Sequence, residues 1–208
     1  SACTNVITRI SDNTNDELSS HPSRDKRLAA VNRGYNKAEN QGLISIEKSK
    51  NAISEEYFYA GLEASDAENY QLAIEKYTIS LSVEPSSSAY NNRALSYLEI
   101  GNYQLALTDV NNAIEKKPED DQFYSNKARI LMNMATEPTD PEMVQAIEML
   151  SIAINKNPSK GYNYIERGMC KWRSLGWNLA RPDFKSASIL GEELPGFVVE
   201  RMDELPCD

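Results

Sequence analysis

Histidine and cysteine carry much of the catalytic and metal-binding chemistry of proteins, and this sequence contains few of either. Its one histidine, His21, lies beside Pro22 in a polar stretch, and its three cysteines are Cys3, Cys170 and Cys207. A Ser-His-Asp or Cys-His site needs a histidine, and a zinc site needs clustered Cys or His, so the sequence after residue 53 supports neither. We therefore expect no enzymatic activity, no bound metal and no cofactor.

The chain has a net charge of -9 and a pI of about 4.8, and the charge is distributed unevenly. Residues 1–53 contain 8 Lys or Arg and 6 Asp or Glu, whereas residues 54–208 contain 14 and 25. An acidic surface disfavours nucleic-acid binding, because phosphate groups need basic side chains. No run of 18 apolar residues is present, so we expect no membrane-spanning helix.

The body of the chain contains an internal repeat. The stretch NYQLAIEKY (69–77) recurs as NYQLALTDV (102–110), which places Tyr70 and Tyr103 33 residues apart. Pro85 and Pro118 have the same spacing, and each follows a stretch of helical periodicity, where a proline ends a helix. A period of this length with helical apolar spacing predicts stacked pairs of helices.

Small residues recur where two paired helices would approach each other. They are Ala60, Gly61, Ala73 and Ser80 in the first copy, and Ala94, Ala106 and Ala113 in the second. Together with the prolines, this pattern resembles the tetratricopeptide repeat family from about residue 54 to residue 190. The resemblance implies an all-α fold, a right-handed superhelical solenoid of antiparallel helix pairs closed by a C-terminal capping helix.

The resemblance divides the repeat region into four units, 54–86, 87–120, 121–160 and 161–190. The third unit contains an insertion, ATEPTDP (135–141), whose two prolines predict an enlarged turn between its helices. The fourth unit contains Pro182 inside its expected second helix. Since proline is tolerated in the first turn of a helix, we predict that this helix begins late, near Arg181.

The segments outside the four units have different compositions. Residues 1–24 are polar and predict a flexible leader. Residues 25–53 predict an N-terminal helical segment, because Leu28, Val31 and Tyr35 fall on one helical face. Residues 191–208 predict a capping helix and tail, since GFVVERMDEL (196–205) has apolar residues on one side and an open stack needs a cap.

In the tetratricopeptide repeat family the first helix of each unit lines a concave surface, so the resemblance implies a groove for a protein or peptide. The candidate peptide-binding residues on that surface are Tyr59, Asn91, Asn92, Asn126, Arg129, Met132, Glu166, Trp172 and Arg173. Asparagine is a mediocre helix former, and its amide matches the donor and acceptor of a peptide group. Asn92 and Asn126 occupy the same position in successive units and would form a ladder along an extended ligand. Alternatively, these amides solvate an open face or bond to neighbouring side chains.

Some cochaperones of the same family clamp the C-terminal carboxylate of heat-shock chaperones, using Lys, Asn and further basic residues at fixed positions. The corresponding positions of this chain hold Phe58, Leu62, Asn92, Gln122 and Asn126. Only Asn92 matches that pattern. Because a terminal carboxylate would find no basic side chain there, we expect no such clamp.

Cys3 follows Ser1 and Ala2, and these three residues resemble the end of a bacterial lipobox. On this resemblance Cys3 carries a lipid that anchors a periplasmic protein to the outer membrane, which is the only link to a membrane that we expect. Cys170 and Cys207 would then be free to form a disulfide in an oxidising compartment. The alternative is a cytoplasmic protein with three unrelated thiols.

The leading hypothesis from the sequence is a non-catalytic scaffold for protein–protein interactions, which holds a partner segment in its concave groove. If the protein is exported, we expect a lipoprotein that helps a larger envelope complex to assemble. Two alternatives stay open. One is a cytosolic secretion chaperone or adaptor, and the other is a structural protein that self-assembles by stacking units between chains.

Overall fold

The computed structural model describes residues 50–203, and helices joined by short turns make up this range. The helices are α1 Lys50–Asp66, α2 Tyr70–Val83, α3 Ser87–Glu99, α4 Tyr103–Lys116, α5 Asp121–Met134, α6 Pro141–Lys156, α7 Gly161–Leu175, α8 Trp177–Ile189 and α9 Gly196–Asp203. No strand occurs between residues 50 and 203. The predicted leader, and all of the predicted N-terminal helical segment except residues 50–53 at the start of α1, lie outside the described residues.

The chain divides into two compact units, the first ending at Glu84 and the second beginning at Pro85. In unit 1, α1 packs against α2. In unit 2, α3 packs against α4, α5 against α6 and α7 against α8, and contacts of α4 with α5 and of α6 with α7 join the successive pairs. The predicted all-α fold of consecutive helix pairs is therefore confirmed.

Caps and a glycine set the turns between these helices. Gly101, between α3 and α4, has φ 74°, a left-handed conformation that glycine adopts without steric cost. Ser86 accepts a hydrogen bond from the Ala89 N–H at 3.2 Å at the start of α3, and Asn69 accepts one from the Leu72 N–H at 3.3 Å at the start of α2. These residues fix where each helix begins, and so which side chains it directs toward its partner.

The predicted insertion forms an enlarged turn between α5 and α6. The Asp140 carboxylate accepts hydrogen bonds from the backbone N–H groups of Glu137 and Thr136, at 2.9 and 2.8 Å, and from the Thr136 hydroxyl at 3.0 Å. The Glu137 and Thr136 backbone hydrogen bonds, with the Thr136 hydroxyl, hold the pKa of Asp140 below its ordinary value. Pro141 then occupies the first turn of α6, where its missing N–H costs no helical hydrogen bond.

We call the buried contact between the two helices of one pair a seam. At two seams, α1–α2 and α7–α8, a glycine makes room for an aromatic ring. A Cβ atom on Gly61 would lie 2.5 Å from the Tyr77 ring, and a Cβ atom on Gly168 would lie 2.8 Å from the Phe184 ring. Both rings are fully buried. No side chain larger than hydrogen therefore fits at these two positions without moving the ring.

The other two seams combine alanine with an aliphatic residue. Ala94 and Val110 belong to one buried cluster, formed by α3 and α4 with neighbouring residues of α5. Ala128 and Leu150 belong to another, between α5 and α6. Where the first helix has glycine, the second has an aromatic ring, and where the first has alanine, the second has a smaller aliphatic residue, as close packing requires.

Two seams of unit 2 also contain a buried ion pair. The Arg93 guanidinium donates to both carboxylate oxygens of Asp109, at 2.6 and 2.8 Å. The Arg167 guanidinium donates to both oxygens of Asp183, at 3.0 and 2.6 Å, and Lys171 lies 2.9 Å from the same carboxylate. The first ion pair joins α3 to α4 and the second joins α7 to α8, each through a bidentate, charge-assisted contact.

The prediction that the second helix of the fourth unit begins near Arg181 is wrong. The helix α8 begins at Trp177 and contains Pro182 in its interior. A proline at this point removes the hydrogen bond to the Asn178 carbonyl, because its missing N–H would have bonded four residues back, and its ring crowds that carbonyl. The Trp177 and Phe184 rings stack 5.6 Å apart on either side of Pro182, and this buried packing holds the helix continuous.

The predicted capping helix is present as α9. Val198 is fully buried in a cluster with Trp177, Ala180 and Phe184 of α8. Leu194 and Met202 pack on the same cluster from before and within the helix. The helix therefore covers apolar residues of α8 that would otherwise meet water. Residues 204 and 205 of the predicted helix lie beyond the described range.

Candidate functional site

Eight of the nine predicted peptide-binding residues lie on the first helices of the three pairs in unit 2. Asn91 and Asn92 belong to α3, Arg129 to α5, and Glu166 and Trp172 to α7. We call the surface formed by these three helices the first-helix face of unit 2. The ninth residue, Tyr59, belongs to unit 1, where it is 40% exposed and its ring makes an edge contact with Phe58 at 5.6 Å; it is described with that unit alone.

A chain of three asparagine side chains crosses from α5 to α3. The Asn126 amide nitrogen donates to the Asn91 side-chain oxygen at 2.8 Å, and the Asn91 nitrogen donates to the Asn92 side-chain oxygen at 3.3 Å. Asn91 and Asn126 are buried, at 5% and 9% exposure, whereas Asn92 is only half-buried. The amide chain therefore ends at Asn92.

The predicted ladder of Asn92 and Asn126 along a ligand stays a prediction, and within the fold Asn126 has a different neighbour. The structure links Asn126 to Asn91 instead, so these two amides satisfy each other inside the unit. Of the two explanations considered for them, the neighbour-bonding one fits Asn91 and Asn126, because a buried amide needs a partner within the fold. Of the three linked asparagines, Asn92 is the most exposed, and its amide nitrogen makes no hydrogen bond with the described residues.

Charged groups lie beside the amide chain. Arg129 on α5 approaches Glu99 on α3 with 3.5 Å between Nη2 and Oε1, and both side chains are more than 40% exposed. The Arg129 Nε is buried and makes no hydrogen bond within residues 50–203. Burial, the Glu166 charge and a hydrogen bond to Glu166 raise the pKa of Tyr162, while the Arg129 charge lowers it. Arg129, Tyr162 and Glu166 therefore form one electrostatically coupled group across α5 and α7.

The far end of the face is apolar and includes a residue that the sequence did not nominate. Trp172 on α7 stacks on Phe197 of α9, with ring centroids 4.8 Å apart and planes inclined at 24°. Phe197 remains 39% exposed and Trp172 half-buried. The sequence predicted a capping helix containing Phe197, but its apolar pattern does not say which of its side chains reaches the first helix of the last pair.

Two further predicted residues have different environments. Met132 is partly buried and packs on the cluster that contains Ala128 and Leu131, so much of its side chain serves the core. Arg173, next to Trp172, is exposed, and none of the ion pairs found among the described residues includes it. Arg173 is therefore a cation on the face with its charge available to a ligand.

Cys170 is fully buried on α7 and is a free thiol among the described residues. Burial, together with the nearby Glu166 charge, raises its pKa to about 12, so the thiolate is disfavoured. Cys3 and Cys207 lie outside the described residues, and the predicted lipid on Cys3 and the predicted Cys170–Cys207 disulfide stay predictions.

Groups that would indicate other chemistry are not found in the described range. Residues 50–203 contain no cluster of three or more His, Cys, Asp or Glu side chains able to hold a metal ion. None of the helices in that range combines the length and the apolar character needed to cross a membrane.

Comparison with known proteins gives two kinds of relative, and no family model matches the chain. Sperm-associated antigen 1 of Rattus norvegicus is 30% identical over 112 residues, which is 54% of this chain and 12% of that protein. The Hsp70-Hsp90 organizing protein 1 of Arabidopsis thaliana is 30% identical over 122 residues, which is 54% of this chain and 21% of that protein. The chain thus spans less than a quarter of the length of either curated relative.

Solved structures resemble the chain over most of its length. MamA from Desulfovibrio magneticus RS-1, from residue 41 to its end, superposes with a TM-score of 0.60 at 15% identity, covering 91% of this chain and 95% of that one. The TPR domain of Arabidopsis OM64 superposes with a TM-score of 0.54 at 17% identity, covering 59% of this chain and 97% of that domain. At these identities the likeness shows the fold.

Proposed function

Because the chain has the tetratricopeptide repeat fold, we propose that it is a non-catalytic scaffold for protein–protein interactions. In this proposal an extended segment of a partner protein lies on the first-helix face of unit 2. The face offers an amide, cations and aromatic rings, which are the groups that recognise peptide backbone, acidic side chains and apolar side chains.

The observation that carries the proposal is the end of the asparagine chain at Asn92. The side-chain oxygen of Asn92 already accepts from Asn91, which fixes the orientation of the amide. The nitrogen, with no hydrogen bond in the described residues, has two N–H groups to offer to a ligand. A peptide carbonyl is the matching acceptor. The Asn92 amide is preorganised, because the buried Asn126–Asn91 hydrogen bond fixes Asn91, which donates to Asn92.

The charges near Asn92 favour a ligand with acidic groups. The Arg129–Glu99 contact is long and exposed, so it contributes little and a ligand carboxylate displaces Glu99 at small cost. The ligand carboxylate would meet the Arg129 Nη2 that now faces Glu99, since the Nε of the same guanidinium is buried. Arg173 provides a second such position.

The test uses a displayed library of random twelve-residue peptides, from which the wild-type protein selects binders. We expect Asn92→Ala to weaken the selected peptides about tenfold, as the loss of a hydrogen bond to a peptide group predicts. Asn111→Ala is the matched control, because Asn111 is an exposed asparagine on α4. Fluorescence polarisation gives the affinities, and thermal unfolding shows that both variants stay folded. If no peptide is enriched, or if the two variants bind alike, the proposal fails.

We propose no chaperone clamp on this face, although one relative is named Hsp70-Hsp90 organizing protein 1. In unit 2 the positions that a carboxylate clamp would make basic hold Gln122, which is exposed and uncharged, and Asn126, which is buried against Asn91. We propose that the face reads an internal segment of its partner. The selected peptides should accordingly bind equally well with a free or an amidated C-terminus.

The location of the protein is a separate proposal that depends on Cys3. A lipid on Cys3 would hold the scaffold at the outer membrane in the periplasm, where it would help a larger complex to assemble; the alternative is a cytoplasmic adaptor. The intact mass of the full-length precursor, expressed in a Gram-negative host and measured with and without reduction, distinguishes them. Acyl groups on Cys3 and a 2-Da gain on reduction support export, and an unmodified, fully reduced chain refutes it.

A further inference from the structure

The capping helix α9 contributes a side chain to the first-helix face. Phe197 lies on the Trp172 ring at a centroid distance of 4.8 Å, and Trp172 belongs to the first helix of the last pair. A residue of α9 that only covered α8 would be buried there, as Val198 is. Phe197 is instead 39% exposed, so the stacked rings remain accessible from solvent.

The neighbouring residue holds Phe197 in place. Val198 is fully buried among Trp177, Ala180 and Phe184, which fixes the position and the rotation of α9. Successive side chains on a helix point about 100° apart, so with Val198 inserted against α8, Phe197 is directed to the α7 side. The two stacked rings are therefore a preorganised apolar surface, which a ligand need not order at its own cost.

The residue that follows Trp172 in α7 is a cation. Arg173 follows Trp172 directly, is exposed, and is in none of the ion pairs among the described residues. Met169, one helical turn before Arg173, is partly buried against the same cluster and extends the apolar surface. An apolar surface, followed along α7 by a cation that is in no ion pair among the described residues, is complementary to a peptide that carries an apolar side chain next to an acidic one.

We propose that Trp172 and Phe197 form the seat for an apolar side chain of the bound peptide, and that Arg173 pairs with an acidic residue adjacent to it. This inference rests on the proposed function and deepens it, because it names the kind of segment that the face selects. It also makes the capping helix part of the binding site.

The test compares two variants of α9. Phe197→Ala removes the stacked ring, and Val199→Ala is the matched control, since Val199 is 44% exposed on the same helix. Both leave Val198 in place, so we expect α9 to stay docked. With a peptide selected from the random library, Phe197→Ala should weaken binding at least tenfold, as for an aromatic residue at the centre of an interface, and Val199→Ala less than twofold.

A double-mutant cycle separates direct contact from a structural effect. Replacing the apolar residue of the peptide by Ala should weaken binding to the wild type about tenfold and leave binding to the Phe197→Ala variant unchanged, because the contact is already lost. Arg173→Gln should weaken peptides with the adjacent acidic residue and flatten their salt dependence. If Phe197→Ala and the peptide substitution are additive, the seat is elsewhere.

The outcomes also distinguish the two proposals. If Asn92→Ala weakens binding and Phe197→Ala does not, the face binds peptides but α9 is only a cap, and this inference is overturned while the proposed function stands. If the library yields no binding peptide at all, both fail. If the selected peptides share an apolar residue beside an acidic one and lose affinity with Phe197→Ala and Arg173→Gln but not with Val199→Ala, the seat is established.

Discussion

The seams between paired helices and the first-helix face of unit 2 derive from the same repeat, yet different interactions determine them. At a seam, the size of one residue sets the size of the residue facing it, as Gly168 and Phe184 show. On the face, hydrogen bonds between successive pairs decide which polar group is available, as the bond from Asn126 to Asn91 shows. Volume is a local property of each pair, whereas the polar network depends on how neighbouring pairs meet.

The largest expected effect concerns the ion pairs of the seams. Asp183→Ala would leave the Arg167 guanidinium and the Lys171 ammonium partly buried without their common partner, at a cost of about 3–5 kcal/mol in the free energy of unfolding. Asp109→Ala would remove the bidentate partner of one cation, Arg93, and should cost less. Urea unfolding of the two variants provides the measurement. Equal losses would mean that Lys171 contributes nothing to the pair.

The volume relation predicts the next effect. Gly168→Ala should destabilise by about 1–3 kcal/mol, because its Cβ would approach the Phe184 ring to 2.8 Å and overpack the seam. Phe184→Leu copies the Ala128–Leu150 pair of the preceding seam when it is combined with Gly168→Ala. The double variant should therefore be no less stable than Phe184→Leu alone, a favourable coupling of about 1–3 kcal/mol. Strictly additive losses would contradict the relation between the two positions.

The two asparagines that the sequence treated as equivalent provide the comparison within the face. Asn126→Ala should cost about 1–2 kcal/mol of stability, because it leaves the buried Asn91 oxygen without its donor. Asn92→Ala should cost less, about 0.5–1 kcal/mol, because the Asn91 amide nitrogen that loses its acceptor makes a longer hydrogen bond, 3.3 Å, to the half-buried Asn92. Thermal unfolding measures both changes in stability, and peptide binding shows which of the two amides contacts the ligand. The assignment of a structural role to Asn126 would be reversed by a variant that keeps full stability and loses binding.

The seams were predictable because their information is repeated. Small residues at fixed spacing, such as Ala94 and Ala106, indicate where helices approach, and the structure buries both completely. The insertion, the Gly101 turn and the capping helix follow from the same local signals. Pro182 misled the prediction, because a rule about a single residue does not include the packing of Trp177 and Phe184 around it.

The face was only partly predictable, because its key contacts depend on rotation between elements. The repeat places Asn92 and Asn126 at the same position of successive units, but whether Asn126 meets Asn91 or Asn92 depends on how α5 is rotated against α3. Similarly, the pattern of α9 shows apolar residues on one side without indicating that Phe197 reaches Trp172. The sequence nominates residue types for the face, and tertiary packing decides which of them a ligand can reach.

The smallest change in stability expected from a seam substitution concerns the seam of α1 and α2, which is well packed but contains a buried hydroxyl. The Tyr77 hydroxyl is buried without a hydrogen-bond partner in the described residues, and burial, more than the Asp66 charge, raises its pKa. Tyr77→Phe keeps the ring against Gly61 and removes the unsatisfied group, so we expect a gain of about 0.5–1 kcal/mol. Phe184→Tyr is the reciprocal control, because it adds a hydroxyl to the fully buried ring beside Gly168 and should destabilise. A stabilising first change and a destabilising second one, both measured by urea unfolding, would show that the aromatic positions of these two seams select for size and shape. If Tyr77→Phe destabilises instead, the hydroxyl has a partner, and the seam of unit 1 would then combine packing with a polar contact as the first-helix face does.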